Sequence, residues 1–158
     1  MKKKDHMNKI WFEPIGIIHS PYKEPSNIPR QPYEGKNTDA TIEIFPEFIE
    51  GLEGLEKYRH IALLFNFHRS KGYNLKVIPY KKNKLRGIFS TRAPTRPNAI
   101  GMSLVKLNSI SNNILSISHV DMIDGTPLLD IKPFIKDMDC FDMNFKTIKM
   151  FKGRNGKN

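Results

Sequence analysis

The 158-residue sequence predicts an all-β fold, a barrel or a sandwich, on three observations. Short apolar or alternating runs recur along it, Pro and Gly mark the turns between them, and no long amphipathic helix precedes residue 141. Residues 11–18 read as the first strand, β-branched toward its end and closed by Ser20-Pro21. Pro21, Pro25, Pro29 and Pro32 make residues 21–35 an irregular connection. Residues 41–45 alternate apolar and polar and predict a second strand. Leu52 and Leu55 recur at helical spacing, but Gly51 and Gly54 limit residues 47–58 to a short helical turn.

The continuous apolar run at residues 61–67 predicts a central strand buried on both faces. Residues 75–79 and 87–90 read as short strands around a basic turn. Residues 100–110 and 114–120 form two more, joined by the hairpin loop Ser111-Asn112-Asn113, and residues 128–134 complete the sheet. Beyond it, Phe141, Phe145, Ile148 and Phe151 fall at helical spacing. The organisation predicted is a basic extension at 1–10, one β domain at 11–140 and a basic tail at 141–158.

Composition narrows the classes of function. Hydrophobic residues at 39% and charged ones at 27% suit a globular domain with a real core. Cys140 is the single cysteine, so an intrachain disulfide is excluded. His6, His19, His60, His68 and His119 lack metal-ligand spacing, and no metal is expected. A nucleophile elbow, a phosphate-binding glycine loop and a dinucleotide-binding glycine pattern are all missing, which disfavours hydrolase, kinase and Rossmann readings. The basic N-terminus lacks the apolar run of a signal peptide, and residues 61–65 are too short to cross a membrane, so a cytoplasmic protein is expected. A formal net charge of +10 favours a polyanionic partner such as RNA.

Two segments concentrate chemistry. Residues 90–101, STRAPTRPNAIG, and 122–134, MIDGTPLLDIKPF, combine helix-breaking prolines with Arg92, Arg96, Asp124, Asp130 and Lys132. Stiff loops presenting a guanidinium fork beside carboxylates suit a polar binding site, although ordinary surface turns also carry solvated charges. His68, at the end of the apolar run, reads as a strand-end histidine or as the rim of a pocket. Tyr22, Tyr33 and Phe134 are candidates to stack on a base or simply to pack.

These residues resemble the TsaA/TrmO family of S-adenosylmethionine-dependent tRNA methyltransferases. The likeness runs from about Phe12 to Asp139. It rests on Ile15-Gly16, Ser20-Pro21-Tyr22, Pro29-Arg30-Gln31, Gly51-Leu52 with Leu55, His60, Phe67-His68, and above all on TRxxxRPNxIG followed by DGTPxxDIKP. It implies a compact antiparallel β-barrel that binds S-adenosylmethionine near a homodimer interface. It also implies methylation of the exocyclic amine of threonylcarbamoyl-adenosine next to the tRNA anticodon. The cofactor contacts it implies are Pro29, Arg30, Gln31, His68, Arg69, Arg92, Met102, Asp124, Gly125, Thr126 and Pro127. Beside the resemblance, Asp121 and Asp124 are the candidate catalytic carboxylates, to take the proton or balance the sulfonium charge, and a cofactor-orienting or loop-bracing role suits either equally. Arg69 stands where many members have Gln, and Ala99 replaces the proline of RPNPIG, which is expected to loosen that loop. Longer bacterial members carry a C-terminal domain that helps hold tRNA; here the basic tail is expected to serve.

Methyl transfer is largely a matter of positioning. Arg92 suits a bidentate grip on a carboxylate, Gly125 admits close approach of a ligand to the backbone, and Thr126 has a hydroxyl to donate. The alternatives open at this point are the same chemistry on another RNA or a small molecule, a non-catalytic cofactor-binding module, and a plain basic RNA-binding barrel.

Overall fold

Eight strands organise the computed structural model, which describes residues 10–29, 38–80 and 82–140. They are β1 (Gly16–His19), β2 (Asp39–Ile44), β3 (His60–Asn66), β4 (Lys76–Val77), β5 (Arg86–Gly87), β6 (Ile100–Ser111), β7 (Ile114–Ser118) and β8 (Thr126–Pro133). Six close into an antiparallel barrel in the order β1-β2-β7-β6-β3-β8, sealed by β8 against β1; β4 and β5 form a separate two-stranded sheet.

Side-chain alternation explains the closure. Ala40, Ile42 and Ile44 of β2, Ile61, Leu63 and Phe65 of β3, and Leu115 and Ile117 of β7 all point inward and are buried. Each fully buried Leu or Ile contributes about 1.5–3 kcal/mol of transfer free energy. Two register shifts, at Leu64/Phe65 between β3 and β8 and at Leu107/Ser109 between β6 and β7, supply the bends that a small barrel needs. At Gly101 a Cβ would overlap the ring of Phe65, and at Gly16 it would run into the Glu43 carbonyl of β2. Both glycines let neighbouring strands approach.

Several expectations are corrected. The first strand is only Gly16–His19; Trp11 lies before it, 83% exposed. β3 is not buried on both faces, because a barrel wall has one inner side: Ala62 and Leu64 are only half-buried. Residues 88–90 form a 3-10 turn rather than strand, since Thr91 N–H donates back to the Ile88 carbonyl. The helical turn expected at 47–58 is two 3-10 segments, Pro46–Leu52 and Leu55–Lys57, divided by Gly54 at φ 82°. A single α-turn, α1 (Lys136–Asp139), follows β8, and the helical spacing at 141–151 lies outside the described residues.

Candidate functional site

Strand polarity gathers the predicted segments at one end of the barrel. β1, β3 and β7 finish there and β2, β6 and β8 begin there. That mouth therefore receives the connection after β1 with Pro29, the turn with His68 and Arg69, the loop with Arg92 leading into β6, and residues 119–125 before β8. Arg30 and Gln31 belong to the same connection but lie outside the described residues.

The 119–125 loop plugs the mouth with Val120, Met122 and Ile123, all buried. It is stitched to the segment after β1: Ser20 Oγ donates to the Met122 carbonyl at 2.7 Å, Asp124 N–H to the Tyr22 carbonyl at 2.8 Å and Gly125 N–H to the Ile18 carbonyl at 2.9 Å. The Asp124 carboxylate completes the seam, accepting from Ser20 N–H at 3.0 Å and from Lys23 Nζ at 2.6 Å, with His19 Nδ1 at 4.0 Å. The Lys23 hydrogen bond above all, helped by Ser20, holds this carboxyl below its usual pKa. Asp124 is thus an ionised brace, poorly suited to accept a proton.

Asp121 is the opposite case. Burial raises its pKa, against the pull of the Ser103 hydroxyl, a backbone N–H and the Arg92 charge. Ser103 Oγ donates to Asp121 Oδ1 at 2.6 Å from an inward position of β6. Arg92 therefore acts on Asp121 rather than on Asp124, and within one chain it lines a different cavity. His19, Ser20, Lys23, Asp39 and Asp124 border one of about 430 Å³, while Arg92 borders another of about 510 Å³ with Lys82, Arg86 and Phe89.

The Arg92 loop is braced from within. Arg96 Nη1 donates to the carbonyls of Thr91 at 2.8 Å and of Ile88 and Ala93 at 3.3 Å, so this guanidinium is structural. Ala99, at φ 48°, adopts a conformation that proline cannot. The loop is not loosened there: Ala99 N–H donates to the Arg96 carbonyl at 3.1 Å, and its own carbonyl accepts from Phe67 N–H at 2.7 Å.

The remaining candidates differ in placement. His68 is exposed, and neighbouring Arg69 donates to the Lys23 carbonyl at 3.2 Å, tying the β3 turn to the Asp124 seam. Gly125, at φ 75°, has open space where a Cβ would stand. Thr126 is buried and its hydroxyl donates to the Ile123 carbonyl at 2.7 Å, so that proton is not offered to a ligand. Pro127 pairs with Ile17 in the barrel wall. Met102 lies on the outer face of β6, 53% exposed. Tyr22 packs on the core and its hydroxyl meets Thr38 Oγ1 at 2.8 Å, so it packs rather than stacks on a base. Ser103, His19 and Lys23 carry no motif; only Ser103 leaves a trace in the sequence, as a hydroxyl at an inward-facing strand position. Among the described residues no group of His, Cys, Asp and Glu could hold a metal.

The fold is thus a small closed antiparallel β-barrel with charged loops gathered at one mouth. Residues 17–140 match the family described as tRNA-methyltransferase O N-terminal domain, and the chain belongs to that family. It is 52% identical over 130 residues to a probable S-adenosyl-L-methionine-binding protein of Pyrococcus abyssi, covering 82% of this chain and 71% of that one. It is 38% identical over 139 residues to the tRNA (adenine(37)-N6)-methyltransferase of Escherichia coli, covering 82% and 59%. The crystal structure of TrmO from Pseudomonas aeruginosa superposes with a TM-score of 0.73 at 39% identity, over 86% of this chain and 60% of that one. The chain thus spans about three-fifths of the length of the E. coli enzyme and of the solved TrmO chain.

Proposed function

We propose that the protein is an S-adenosylmethionine-dependent methyltransferase acting on the exocyclic amine of adenosine, in its threonylcarbamoyl form, beside the tRNA anticodon. The observation that carries this reading is the family match across residues 17–140. The residues at the mouth fit the cofactor. Gly125 leaves the backbone open to a ligand, and the mouth and its flanking loop offer both carboxylates and an arginine, the chemistry that an amino acid moiety and a ribose require. When bound, S-adenosylmethionine supplies an electrophilic methyl group on a positively charged sulfur.

Arg92 binds the cofactor carboxylate, and Pro29, Arg30, Gln31, His68, Arg69, Gly125 and Pro127 are the further cofactor contacts; Met102, on the outer face of β6, belongs to the subunit interface instead. Asp124 holds the mouth together through Ser20 and Lys23. Asp121 is the proton acceptor: its raised pKa lets it take a proton from the methylated amine, with Ser103 orienting the carboxylate. Positioning does most of the catalysis, and an anticodon-loop base costs less to present than one in a duplex.

The active species is a homodimer. Met102 and Leu104 are 53% and 39% exposed on the outer face of β6, beside Leu64 and Ala62 of β3, and such a patch favours burial against a second copy. The catalytic unit is residues 11–140; the basic segments 1–10 and 141–158 contact phosphates, and a tRNA substrate sets the reaction in the cytoplasm.

The test is nucleoside mass spectrometry of tRNA incubated with the protein and methyl-labelled cofactor. Label in an N6-methylated threonylcarbamoyl-adenosine is the expected result; label in another nucleoside would redirect the substrate assignment. Arg92→Ala is expected to abolish cofactor binding in calorimetry while leaving a cooperative melt. The archaeal relative's name favours a second reading, a cofactor-binding module without turnover, which cofactor binding with no labelled product would select.

A further inference from the structure

The β4–β5 arm stands outside the barrel and is chemically unlike it. Ile88, 1% exposed, anchors it, and Asn74 N–H donates to the Thr95 carbonyl at 3.3 Å, joining its base to the Arg92 loop. No Asp or Glu occurs in the sequence between Glu56 and Asp121, whereas residues 71–96 hold eight Lys or Arg. The cavity of about 510 Å³ at the root of the arm is lined by Lys82, Arg86, Arg92, Phe89 and Ser90 with no carboxylate. Phe89 is 76% exposed, and the Arg96 guanidinium carbon sits 6.0 Å from its ring centre, at the outer range of a cation–π contact.

From this geometry we infer that the arm is a single-stranded RNA cradle: Phe89 stacks a base while Lys82 and Arg86 grip the phosphates on either side. This inference rests on the tRNA-methyltransferase reading and deepens it. The occupant is identified by its chemistry. An exposed aromatic face among unneutralised cations, with a serine hydroxyl beside it, matches a polyanion with flat, unstacked bases. A second copy of the arm is the poorer occupant, because a two-fold contact would set Lys82 and Arg86 against their own copies with no carboxylate between them. The place of the cradle also matters. Arg92 borders this cavity and also stands on the loop that enters β6 at the barrel mouth, so the cradle adjoins the mouth through that loop.

The test measures binding of a synthetic tRNA anticodon stem–loop to the full chain across a salt series, with calorimetry of S-adenosylmethionine in parallel. Lys82→Ala/Arg86→Ala is expected to weaken RNA binding about tenfold and to flatten the log–log salt slope by about 1.4, about 0.7 for each lost phosphate contact. Phe89→Ala is expected to weaken binding about tenfold at an unchanged slope, with Phe89→Trp restoring it and Phe89→Leu failing to. Cofactor affinity should stay constant throughout. A wild-type protein that methylates tRNA, with both variants binding RNA as it does, overturns the cradle alone. A wild-type protein that binds cofactor but no RNA overturns the cradle together with the tRNA reading. Variants that change sedimentation and leave RNA affinity intact overturn it in favour of a self-association surface.

Discussion

Asp121 and Asp124 share one loop yet have opposite linkage to pH. The folded-state pKa of Asp121 is raised, chiefly by burial, so its contribution to stability is full below the ordinary carboxylate value and is lost as pH rises through the folded pKa. That of Asp124 is lowered, chiefly by the Lys23 hydrogen bond, so its contribution is present above the ordinary value and is lost as pH falls through the folded one. Asp121→Asn keeps an oxygen to accept from Ser103 and removes a buried charge. Its melting temperature at neutral pH should equal or exceed that of the wild type, while turnover falls about 10²–10⁴-fold. Thermal melts and initial rates on the same preparation check both halves; full activity in this variant would remove Asp121 as proton acceptor. Asp124→Ala should do the reverse, losing about 1–3 kcal/mol of stability from a charge-assisted seam and flattening the acid limb of the stability profile. Denaturant unfolding at several pH values measures it.

Among the elements, the Arg92 loop shows what a chain of letters reveals and what it hides. TRAPTRPNAIG gave the stiffness of the loop through Pro94 and Pro97, and the pairing of charges with prolines singled it out as a candidate site. Which arginine is the internal brace was not legible, because that depends on where the Thr91, Ile88 and Ala93 carbonyls point once the turn is made. The strands that end up in the barrel were readable because alternation records one inner face, as in β2 and β7. β3 misled because its outer face is apolar too, a pattern indistinguishable in sequence from a strand covered on both sides. Asp124 was visible in its DGTP motif, but its engagement by Ser20 and Lys23 joins residues about a hundred positions apart, and no local pattern encodes that. Arg96→Lys, which keeps the charge and loses the fork, is expected to raise the KM for cofactor several-fold with little change in melting temperature. Steady-state kinetics separate this from loss of folding. Gly101→Ala, by contrast, sets a methyl against the Phe65 ring inside the wall and should cost about 1–3 kcal/mol in denaturant unfolding.

For the whole molecule, the decisive relation is between the barrel mouth and the outer β3–β6 face. A single chain keeps Arg92 and Asp124 in separate cavities. Its outer wall leaves Met102 and Leu104 exposed where β6 pairs with β3. The proposed dimer would cover that apolar stripe, and a monomer would leave it in water. Met102→Lys/Leu104→Lys should accordingly yield a folded monomer in sedimentation, because both side chains already meet solvent and the barrel core is untouched. Loss of cofactor binding by that folded monomer would tie the site to the assembly, since neither substitution reaches Asp121, Arg92 or the Asp124 seam. A folded monomer that binds cofactor and turns over normally would confine the site to one chain. The outer stripe would then have to be explained by a different partner.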